Sequence, residues 1–469
     1  MSTQTSETRA LGGLDGLEKR LQGPQIDDGS PGAQMALSVV LPGVPTFRRT
    51  PPLGLLLAVV GIVLPVLGVA WAYANRDDLI GLALDPNFLT GVVAVGLAAV
   101  VARLLAVAEI AHAFRRTPGI GGRTVVATVV VLALSTPVLW VAFRANEARG
   151  AVANVFASSD GEPLFTPSPD GAGGSGGSGG ADGDPIDPDA ITNILLLGGD
   201  AGPGRWGLRT DTMILVSVHE ASGRVTLVSI PRNLTSLQFP PGTPLADSFP
   251  NGFNDLANAV FPHVSTRPEL MEFYERDNLQ PEAVALAGAL GYSLDVKIDD
   301  YALVNMQGFT EVIDAVGGFT IELGARVPLP PSLPGERPLP DAIGPGLVEM
   351  DGALAIAYAR SREADSDYER MGRQRQLLAA LGSQVSAGDA ISGFGSVTGV
   401  LDDSMRTSLS SGEFSTLLDR LGDNNAIHES VGLTPPLITP GSPDYEFIRS
   451  VIDSVQQAVL TGGASGYAG

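Results

Sequence analysis

An uncharged apolar run near the N-terminus constrains the fold of this chain more than any other feature. Residues 51–73 contain no charged side chain, and about 20 apolar residues suffice for a helix to cross the ~30 Å hydrocarbon core of a bilayer. Residues 88–111 and 124–143 are also mainly apolar. We therefore predict three transmembrane helices, since buried core helices are rarely this long and free of charge. Arg103 and Glu109 interrupt the second stretch, so Arg103 must face protein or reach the interface.

Arginines that flank these stretches predict the orientation of the helices. They precede the first stretch and fill the connection between the second and third, whereas the first connection reads Asn-Arg-Asp-Asp. The flanking arginines are Arg48, Arg49, Arg115, Arg116 and Arg123. Because positively charged residues concentrate on the cytoplasmic side, we expect the N-terminus inside the cell and everything after about residue 145 outside.

The rest of the sequence predicts one exported domain on a flexible spacer. Residues 1–50 predict a disordered cytoplasmic segment, and residues 51–145 form the predicted transmembrane region. Residues 146–189 are rich in Gly, Ser, Pro and Asp, a composition typical of a flexible spacer because it supplies no core. We expect the extracellular catalytic domain at 190–460 and a disordered tail at 461–469.

Composition excludes several kinds of functional site. The chain has no cysteine, which excludes disulfides, thiolate zinc sites and a cysteine nucleophile. Its four histidines are scattered along the sequence, which disfavours a histidine metal site and a Ser-His-Asp triad. The Gly-x-x-x-x-Gly-Lys motif of nucleotide hydrolases is absent, and the N-terminal segment has no basic helix that would bind nucleic acid.

Four charged residues are predicted to meet at one edge of a sheet. The run Asn193–Leu197 predicts a strand, and two β-rich runs at 209–218 and 224–233 predict a hairpin. The side chains that these strand directions bring to one edge are Asp200, Arg209, Asp211 and Arg232. Ligand sites commonly lie just beyond strand ends. The alternative, for each residue taken singly, is that Asp211 caps a turn and pairs with Arg209.

A second cluster of charge lies further along the chain. Five arginines crowd residues 358–376 of a chain whose net charge is −22. A guanidinium group presents a planar fork of donors that fits phosphate oxygens, so we interpret the cluster as a phosphate site. The alternative is a solvated face, on which the arginines pair with Glu363, Asp365, Asp367 and Glu369.

The backbone around these arginines is predicted to change from helix to extended chain. Residues 301–305 and 318–323 predict strands on either side of a helix at 306–316. Asp351 is placed to cap a helix that runs through Tyr358. If the following backbone is extended, Arg360 and Arg362 point to one side.

A further helix is predicted to begin near Glu369. It places Arg370 and Gln374 four residues apart on one face, and its N-terminus favours a diphosphate. We expect Arg373 and Arg375 to lie on the solvated face of this helix. Arginines and carboxylates without histidine or cysteine indicate metal-assisted phosphoryl transfer.

Five motifs follow one another in order between about residues 190 and 385. They are Asn193-Ile-Leu-Leu-Leu-Gly-Gly-Asp, Leu208-Arg-Thr-Asp-Thr-Met, Ser229-Ile-Pro-Arg, Val312-Ile-Asp-Ala-Val-Gly-Gly-Phe, and the segment from Tyr358 to Gln376. In these motifs the sequence resembles the LytR-CpsA-Psr family of bacterial cell-envelope proteins. The three predicted spans and the Gly-Gly-Asp-Ala-Gly-Pro-Gly loop are similar to the actinobacterial form.

The resemblance implies an α/β fold, an α/β/α sandwich with an apolar tunnel for a polyprenyl chain. It also implies a phosphotransferase that moves a glycopolymer from a polyprenyl-pyrophosphate carrier onto peptidoglycan through a phosphodiester, with Mg²⁺ or Mn²⁺. Position by position, Asp200 and Asp211 resemble the metal-binding aspartates, with Asp211 also a candidate base. The residues that resemble the pyrophosphate-binding set are Arg209, Arg232, Arg360, Arg362 and Arg370, with Gln374 beside them.

The sequence departs from the family pattern at two positions. Asn233 stands where the family usually has Asp, and Gly202 where many members have Arg. We expect activity to be retained and assign Asn233 no role, while Arg205 is a candidate substitute for the missing arginine. Two other functions stay open: hydrolysis of polyprenyl pyrophosphates at the same site, and a non-enzymatic role as a membrane-bound regulator.

Overall fold

The structure is a computed structural model, and it describes residues 30–74, 85–156, 162–167, 190–199, 209–276, 279–331, 337–362, 366–384, 404–414 and 427–468. The chain divides into two compact units. One comprises Met1–Ala74 with Val92–Phe143, and the other comprises Asn75–Gly91 with Arg144–Gly469.

The first unit is helical. Its elements are α1 (Pro31–Val40), α2 (Val44–Phe47), α3 (Pro51–Ala58), α4 (Leu64–Ala74) and most of α5 (Pro86–Ala113) and α6 (Ile120–Val155), with a π-helical turn at Val59–Val63 between α3 and α4. Residues 86–91 of α5 and 144–155 of α6 belong to the second unit. Three helical stretches are long and apolar enough to cross a membrane: Pro51–Ala74, Pro86–Ala113 and Ile120–Gly150. The three apolar helices predicted from the sequence are therefore present. In the second of them, Arg103 donates to the carbonyl of Ala99 at 3.1 Å.

The segment predicted to be disordered before the first apolar helix is partly helical. Ser30 caps α1 by accepting a hydrogen bond from the backbone N–H of Ala33 at 3.2 Å. Met35 of α1 is buried against Val107 and Ile110 of α5. This apolar contact orders α1, so the prediction for residues 1–50 is wrong for α1 and α2. Residues 1–29 lie outside the described part of the chain.

The second unit is built on a six-stranded mixed sheet with strand order β10-β3-β2-β1-β4-β9. Its strands are antiparallel from β1 through β3, while β4 pairs parallel with β1 and β10 parallel with β3. Two small sheets pair β5 with β8 and β6 with β7. The strands are β1 (Ile191–Gly199), β2 (Thr210–His219), β3 (Val225–Ser229), β4 (Asp300–Asn305), β5 (Phe319–Leu323), β6 (Val327–Pro328), β7 (Ala342–Ile343), β8 (Gly346–Met350), β9 (Met405–Thr407) and β10 (Ile427–Gly432).

Helices cover both faces of this sheet. They are α7 (Pro244–Ser248), α8 (Val260–Ser265), α9 (Pro268–Tyr274), α10 (Pro281–Leu294), α11 (Met306–Ala315), α12 (Gly352–Arg360), α13 (Asp367–Gln384) and α14 (Tyr445–Thr461), with a 3₁₀ turn at Ala257–Ala259. Side chains alternate along β2: Met213 and Leu215 join the core formed with α8, α10 and α14. Ile214 and Val218 face the opposite side, where Leu378 of α13 packs. This arrangement confirms the predicted α/β/α sandwich.

Parts of the predicted spacer are ordered in the structure. Residues 146–155 continue α6. Phe165 exchanges two backbone hydrogen bonds with Ile298, at 3.0 and 2.9 Å. Its ring lies against Gly291, where a Cβ atom would approach Phe165 Cδ1 to 2.3 Å. The spacer prediction is therefore wrong for these residues, because Phe165 packs its partly buried ring at a site that only glycine leaves open. Residues 168–189 lie outside the described residues.

The predicted disordered tail also has contacts. The backbone N–H of Ser465 donates to the Glu429 carboxylate at 3.2 Å. Tyr467 packs against the main core, and its ring meets that of Phe447 edge-on, with centroids 6.4 Å apart. The tail is therefore ordered as far as residue 468, because an aromatic side chain near its end has an apolar surface to cover.

Candidate active site

The strand directions bring the predicted charged residues to one edge of the sheet. β1 ends at Gly199, which pairs with Thr210 at the start of β2 after a register shift at Gly198. β3 runs antiparallel to β2 and returns the chain to the same edge, where it continues to Arg232. The prediction that the charged side chains meet at one edge of the sheet is confirmed for Asp211 and Arg232, which are in contact.

Asp211 forms the first half of the site. Its Oδ1 atom accepts hydrogen bonds from Nη1 of Arg232 at 2.9 Å and from Nδ2 of Asn258 at 3.0 Å. Its backbone carbonyl accepts from Nη2 of Arg370 at 3.0 Å. The side chain is 23% exposed. The structure pairs Asp211 with Arg232, which comes from the segment after β3, and not with Arg209 as in the alternative.

Asp367, at the start of α13, holds three of the arginines together. Nε of Arg232 lies 3.1 Å from its Oδ2 atom, and Nη2 of Arg362 lies 3.2 Å from Oδ1. Arg370 binds with both sides of its fork, through Nε to Oδ1 at 3.1 Å and Nη2 to Oδ2 at 3.4 Å. The site is thus one network of two carboxylates and three guanidinium groups.

Burial and charge act in opposite directions on these groups. Burial raises the pKa of Asp367, but hydrogen bonds and charges from the three arginines outweigh it, so its pKa lies below the usual value of 3.8. Burial lowers the pKa of Arg232, and the hydrogen bonds and charges of Asp211 and Asp367 turn this into a net rise. Burial lowers the pKa of Arg370 despite its bond to Asp367. Asp367 is therefore ionised at neutral pH and stabilises the arginines around it.

The predicted phosphate-binding residues differ in accessibility. Arg370 is only 4% exposed, because it anchors Asp367 and the backbone of Asp211. Arg362 is 45% exposed, and Arg360 and Arg209 are also exposed. A ligand therefore reaches three of the predicted phosphate-binding residues most directly: Arg209, Arg360 and Arg362.

Two local predictions for this segment are corrected. Arg360 is the last residue of α12 rather than part of an extended strand, and the extended backbone begins at Ser361 with ψ of 133°. Asp351 caps α12 as predicted, by accepting from the N–H of Leu354 at 2.9 Å. Gln374 lies on α13, four residues after Arg370, but its amide points to the carbonyl of Ala359 at 3.5 Å.

The arginines assigned to a solvated face are instead packed inside the domain. Arg373 is 7% exposed and donates to the carbonyl of Ser361. Arg375 is partly buried, and its Nε donates to Oγ of Ser430 on β10 at 2.8 Å. Burial lowers the pKa of Arg375. The solvated-face prediction is wrong for both residues, because α13 packs against the extended segment on one side and the sheet on the other.

The described residues supply only part of a divalent-cation site, but the oxygen ligand that they supply suits such an ion. Asp211 supplies a hard oxygen ligand, and Asp200, Gly202 and Arg205 lie outside the described residues. Within the described residues, no cluster of three or more His, Cys, Asp or Glu side chains exists. The buried Oδ1 atom of Asn258 has no hydrogen-bond partner there. Asp211 is therefore the described residue that would hold the ion, with Asp200 as its predicted second ligand.

Sequence reasoning missed two contributors to the site. Asn258 contacts Asp211 from the 3₁₀ turn at Ala257–Ala259, and no motif marks it. From the sequence, Asp367 is only one of four acidic residues that pair with the arginines in the solvated-face alternative. Nδ2 of Asn233 donates to Oη of Tyr368 at 3.2 Å, which places the departure from the family pattern beside α13. A signal for Asp367 was available, since it lies three residues before Arg370, a spacing that brings both side chains to one face of a helix.

Comparison with known proteins finds a match to one family model and to several relatives. The LytR_cpsA_psr family model matches residues 181–239 and 284–432. The chain is 27% identical over 243 residues to Biofilm regulatory protein A of Streptococcus mutans, covering 50% of this chain and 54% of that protein. It is 34% identical over 189 residues to the probable cell wall biosynthesis protein LcpB of Corynebacterium glutamicum, covering 39% of this chain and 35% of that protein.

Another relative is the polyisoprenyl-teichoic acid–peptidoglycan teichoic acid transferase TagU of Oceanobacillus iheyensis, 29% identical over 232 residues, covering 49% of this chain and 62% of that protein. The chain thus spans about half of the first relative and less than two thirds of this one. Among solved structures, that of Bacillus subtilis TagV is similar at 22% identity with a TM-score of 0.41, covering 58% of this chain and 97% of that structure. The two segments that match the family model carry site residues, Asp211 and Arg232 in the first and Arg362, Asp367 and Arg370 in the second, and these two segments belong to the LytR-CpsA-Psr family.

Proposed function

We propose that this protein is a membrane-anchored phosphotransferase that moves a glycopolymer from a polyprenyl-pyrophosphate carrier onto peptidoglycan through a phosphodiester bond. The observation that carries the proposal is the network of Asp211, Arg232 and Asp367 with Arg362 and Arg370. Such a network is suited to hold a diphosphate next to a carboxylate. The name of the TagU relative, a teichoic acid transferase that acts on peptidoglycan, supports the same reaction class.

The proposed reaction is a displacement at phosphorus. A peptidoglycan hydroxyl attacks the phosphorus atom bound to the glycopolymer, the bond from this phosphorus to the bridging oxygen breaks, and polyprenyl phosphate leaves. In the proposed reaction Asp211 accepts the proton of the hydroxyl. Arg232 and Arg362 neutralise phosphate oxygens as charge shifts to the leaving group. A bound Mg²⁺ would polarise the phosphoryl oxygens and lower the repulsion that an attacking oxygen meets.

The apolar helices support a membrane location for this reaction. A polyprenyl carrier lies in the bilayer, and three helices of the chain are long and apolar enough to cross it. With the arginine distribution described above, the N-terminus lies in the cytoplasm and the α/β domain faces the cell wall. The site then lies on the side of the membrane where peptidoglycan is present.

A polyprenyl-pyrophosphate hydrolase is a second candidate for the same residues. It is favoured by the accessibility of Asp211, whose side chain is 23% exposed, because solvent water reaches a partly exposed carboxylate. The two functions use the same diphosphate site and differ only in the acceptor. Product analysis with and without peptidoglycan separates them.

Lipid retention tests the diphosphate site. We expect the full-length protein, purified in detergent, to retain polyprenyl phosphate or pyrophosphate that mass spectrometry detects. Arg362→Ala removes an exposed donor, and hydrogen bonds to charged groups contribute about 1.5–3 kcal/mol, so we expect about 10- to 100-fold weaker retention and transfer. Arg337→Ala is a matched control, since Arg337 is also exposed and pairs with Asp351 at 2.6 Å, away from this network. Equal retention by the wild type and Arg362→Ala would contradict the proposal.

A further inference from the structure

A buried asparagine contacts Asp211 from outside the sequence motifs. Asn258 lies in the 3₁₀ turn Ala257–Ala259 and is 1% exposed. Its position falls between the two segments that match the family model. Its Nδ2 atom donates to Oδ1 of Asp211 at 3.0 Å. Because an ionised carboxylate only accepts hydrogen bonds, the NH₂ group and not the carbonyl must face Asp211.

The other end of the Asn258 amide indicates why this residue is present. Its Oδ1 atom is buried and has no hydrogen-bond partner among the described residues. A buried carbonyl oxygen without a donor destabilises the fold. An amide placed only for stability would have both ends satisfied, so the contact with Asp211 is the interaction that explains its position.

The backbone holds Asn258 against the segment that carries Arg232. The N–H of Asn258 donates to the carbonyl of Arg232 at 3.2 Å, and the N–H of Ala257 donates to the carbonyl of Leu234 at 2.8 Å. These two hydrogen bonds join the turn to the chain segment that supplies Arg232, the ionic partner of Asp211. Both donors, the amide and the guanidinium, therefore approach Asp211 from segments that are bonded to each other.

The two oxygens of Asp211 are consequently not equivalent. Oδ1 accepts hydrogen bonds from both Nη1 of Arg232, at 2.9 Å, and Nδ2 of Asn258, at 3.0 Å. Among the residues that the structure describes, none donates a hydrogen bond to Oδ2. Two donors on one oxygen fix the rotation of the carboxylate and leave the second oxygen with its lone pairs available.

We propose that Asn258 is a positioning residue that, together with Arg232, holds Oδ1 of Asp211 and presents Oδ2 to the divalent cation. This inference rests on the proposed metal-assisted function. It assigns to Asn258 a role through Asp211, without contact to the substrate. Removing the amide frees the carboxylate to rotate, which weakens the cation site.

The test is the affinity of the full-length protein for Mn²⁺ in detergent, measured by electron paramagnetic resonance. Asn258→Ala removes the amide, and Asn258→Leu removes its polar atoms while keeping a similar branched shape. Asn254→Ala and Asn254→Leu are matched controls, since Asn254 is exposed in the same loop. We expect about 10- to 100-fold weaker Mn²⁺ binding in both Asn258 variants, as for other residues that orient metal ligands, and wild-type affinity in both controls.

The affinity separates positioning from a purely structural role. Partial unfolding lowers the number of binding sites but leaves the affinity of the folded fraction unchanged. Wild-type affinity in folded Asn258→Leu would overturn the inference, and if Asn258→Ala does not fold, Asn258→Leu decides alone. If Asp211→Ala also binds Mn²⁺ as tightly as the wild type, the proposed metal role of Asp211 fails as well. Loss in Asp211→Ala without loss in Asn258→Leu rejects only the positioning role.

Discussion

At the scale of single residues, Asp367 organises the arginines of the site. Its carboxylate meets Arg232, Arg362 and Arg370 within 3.4 Å. Without it, three guanidinium groups would repel one another in a partly buried position. Burial alone would raise the pKa of Asp367, and the arginines instead lower it below 3.8. Asp367 is thus a structural counter-ion that holds the arginines in place before a substrate arrives.

We predict that Asp367→Asn destabilises the α/β domain at neutral pH by about 1.5–3 kcal/mol, the usual contribution of hydrogen bonds to a charged group. The folded pKa of Asp367 is lowered, so its stabilisation is present above the unfolded pKa and is lost as the pH falls through the folded value. The difference in unfolding temperature from the wild type, followed by circular dichroism, should shrink below about pH 4. Asp247→Asn, at an exposed position of α7, should show no such difference. A gap that persists in acid would contradict this account.

At the scale of elements, α13 has three distinct sides. Arg370 faces Asp211, Arg373 reaches the carbonyl of Ser361, and Arg375 reaches Ser430 on β10. Leu378 packs against one face of the sheet. The helix therefore joins the site, the extended segment after α12 and the sheet edge, and its arginines divide into those that form the site and those that fasten the helix.

We predict that Arg375→Ala lowers stability and leaves affinity for the lipid substrate unchanged. Loss of the 2.8 Å bond to Ser430 removes one link between α13 and β10, which we expect to cost about 1–3 kcal/mol because the guanidinium is charged and partly buried. Urea unfolding measures the loss, and the KM for the polyprenyl substrate provides the second readout. Arg362→Ala should give the reverse pattern. A raised KM in folded Arg375→Ala would place Arg375 in the site instead.

Strand direction and helix position were predictable from the sequence because each is set by local pattern. The alternation in β2 and the cap of α12 by Asp351 are read from neighbouring residues. The burial of Arg373 was not predictable, since it depends on a backbone carbonyl that the following fold brings near. Asn258 escaped prediction for the same reason, because its contact with Asp211 spans 47 residues and leaves no periodic signal.

At the scale of the whole molecule, the chain combines three helices suited to a bilayer with an α/β domain that carries the charged site. A carrier with a lipid chain and a diphosphate head requires both an apolar environment and a cluster of cations. The sequence supplies both. The proposed function accounts for this combination, which neither a soluble phosphatase nor a simple membrane anchor requires.

The most direct test is transfer by the full-length protein in lipid vesicles. The assay supplies a polyprenyl-pyrophosphate-linked oligosaccharide, peptidoglycan fragments and Mg²⁺, and mass spectrometry identifies the products. We predict oligosaccharide joined to peptidoglycan through a phosphodiester, one polyprenyl phosphate released for each linkage, and neither product with Asp211→Asn. Wild-type protein that releases the oligosaccharide phosphate into solution although peptidoglycan is present, or that leaves the carrier intact, would contradict the account.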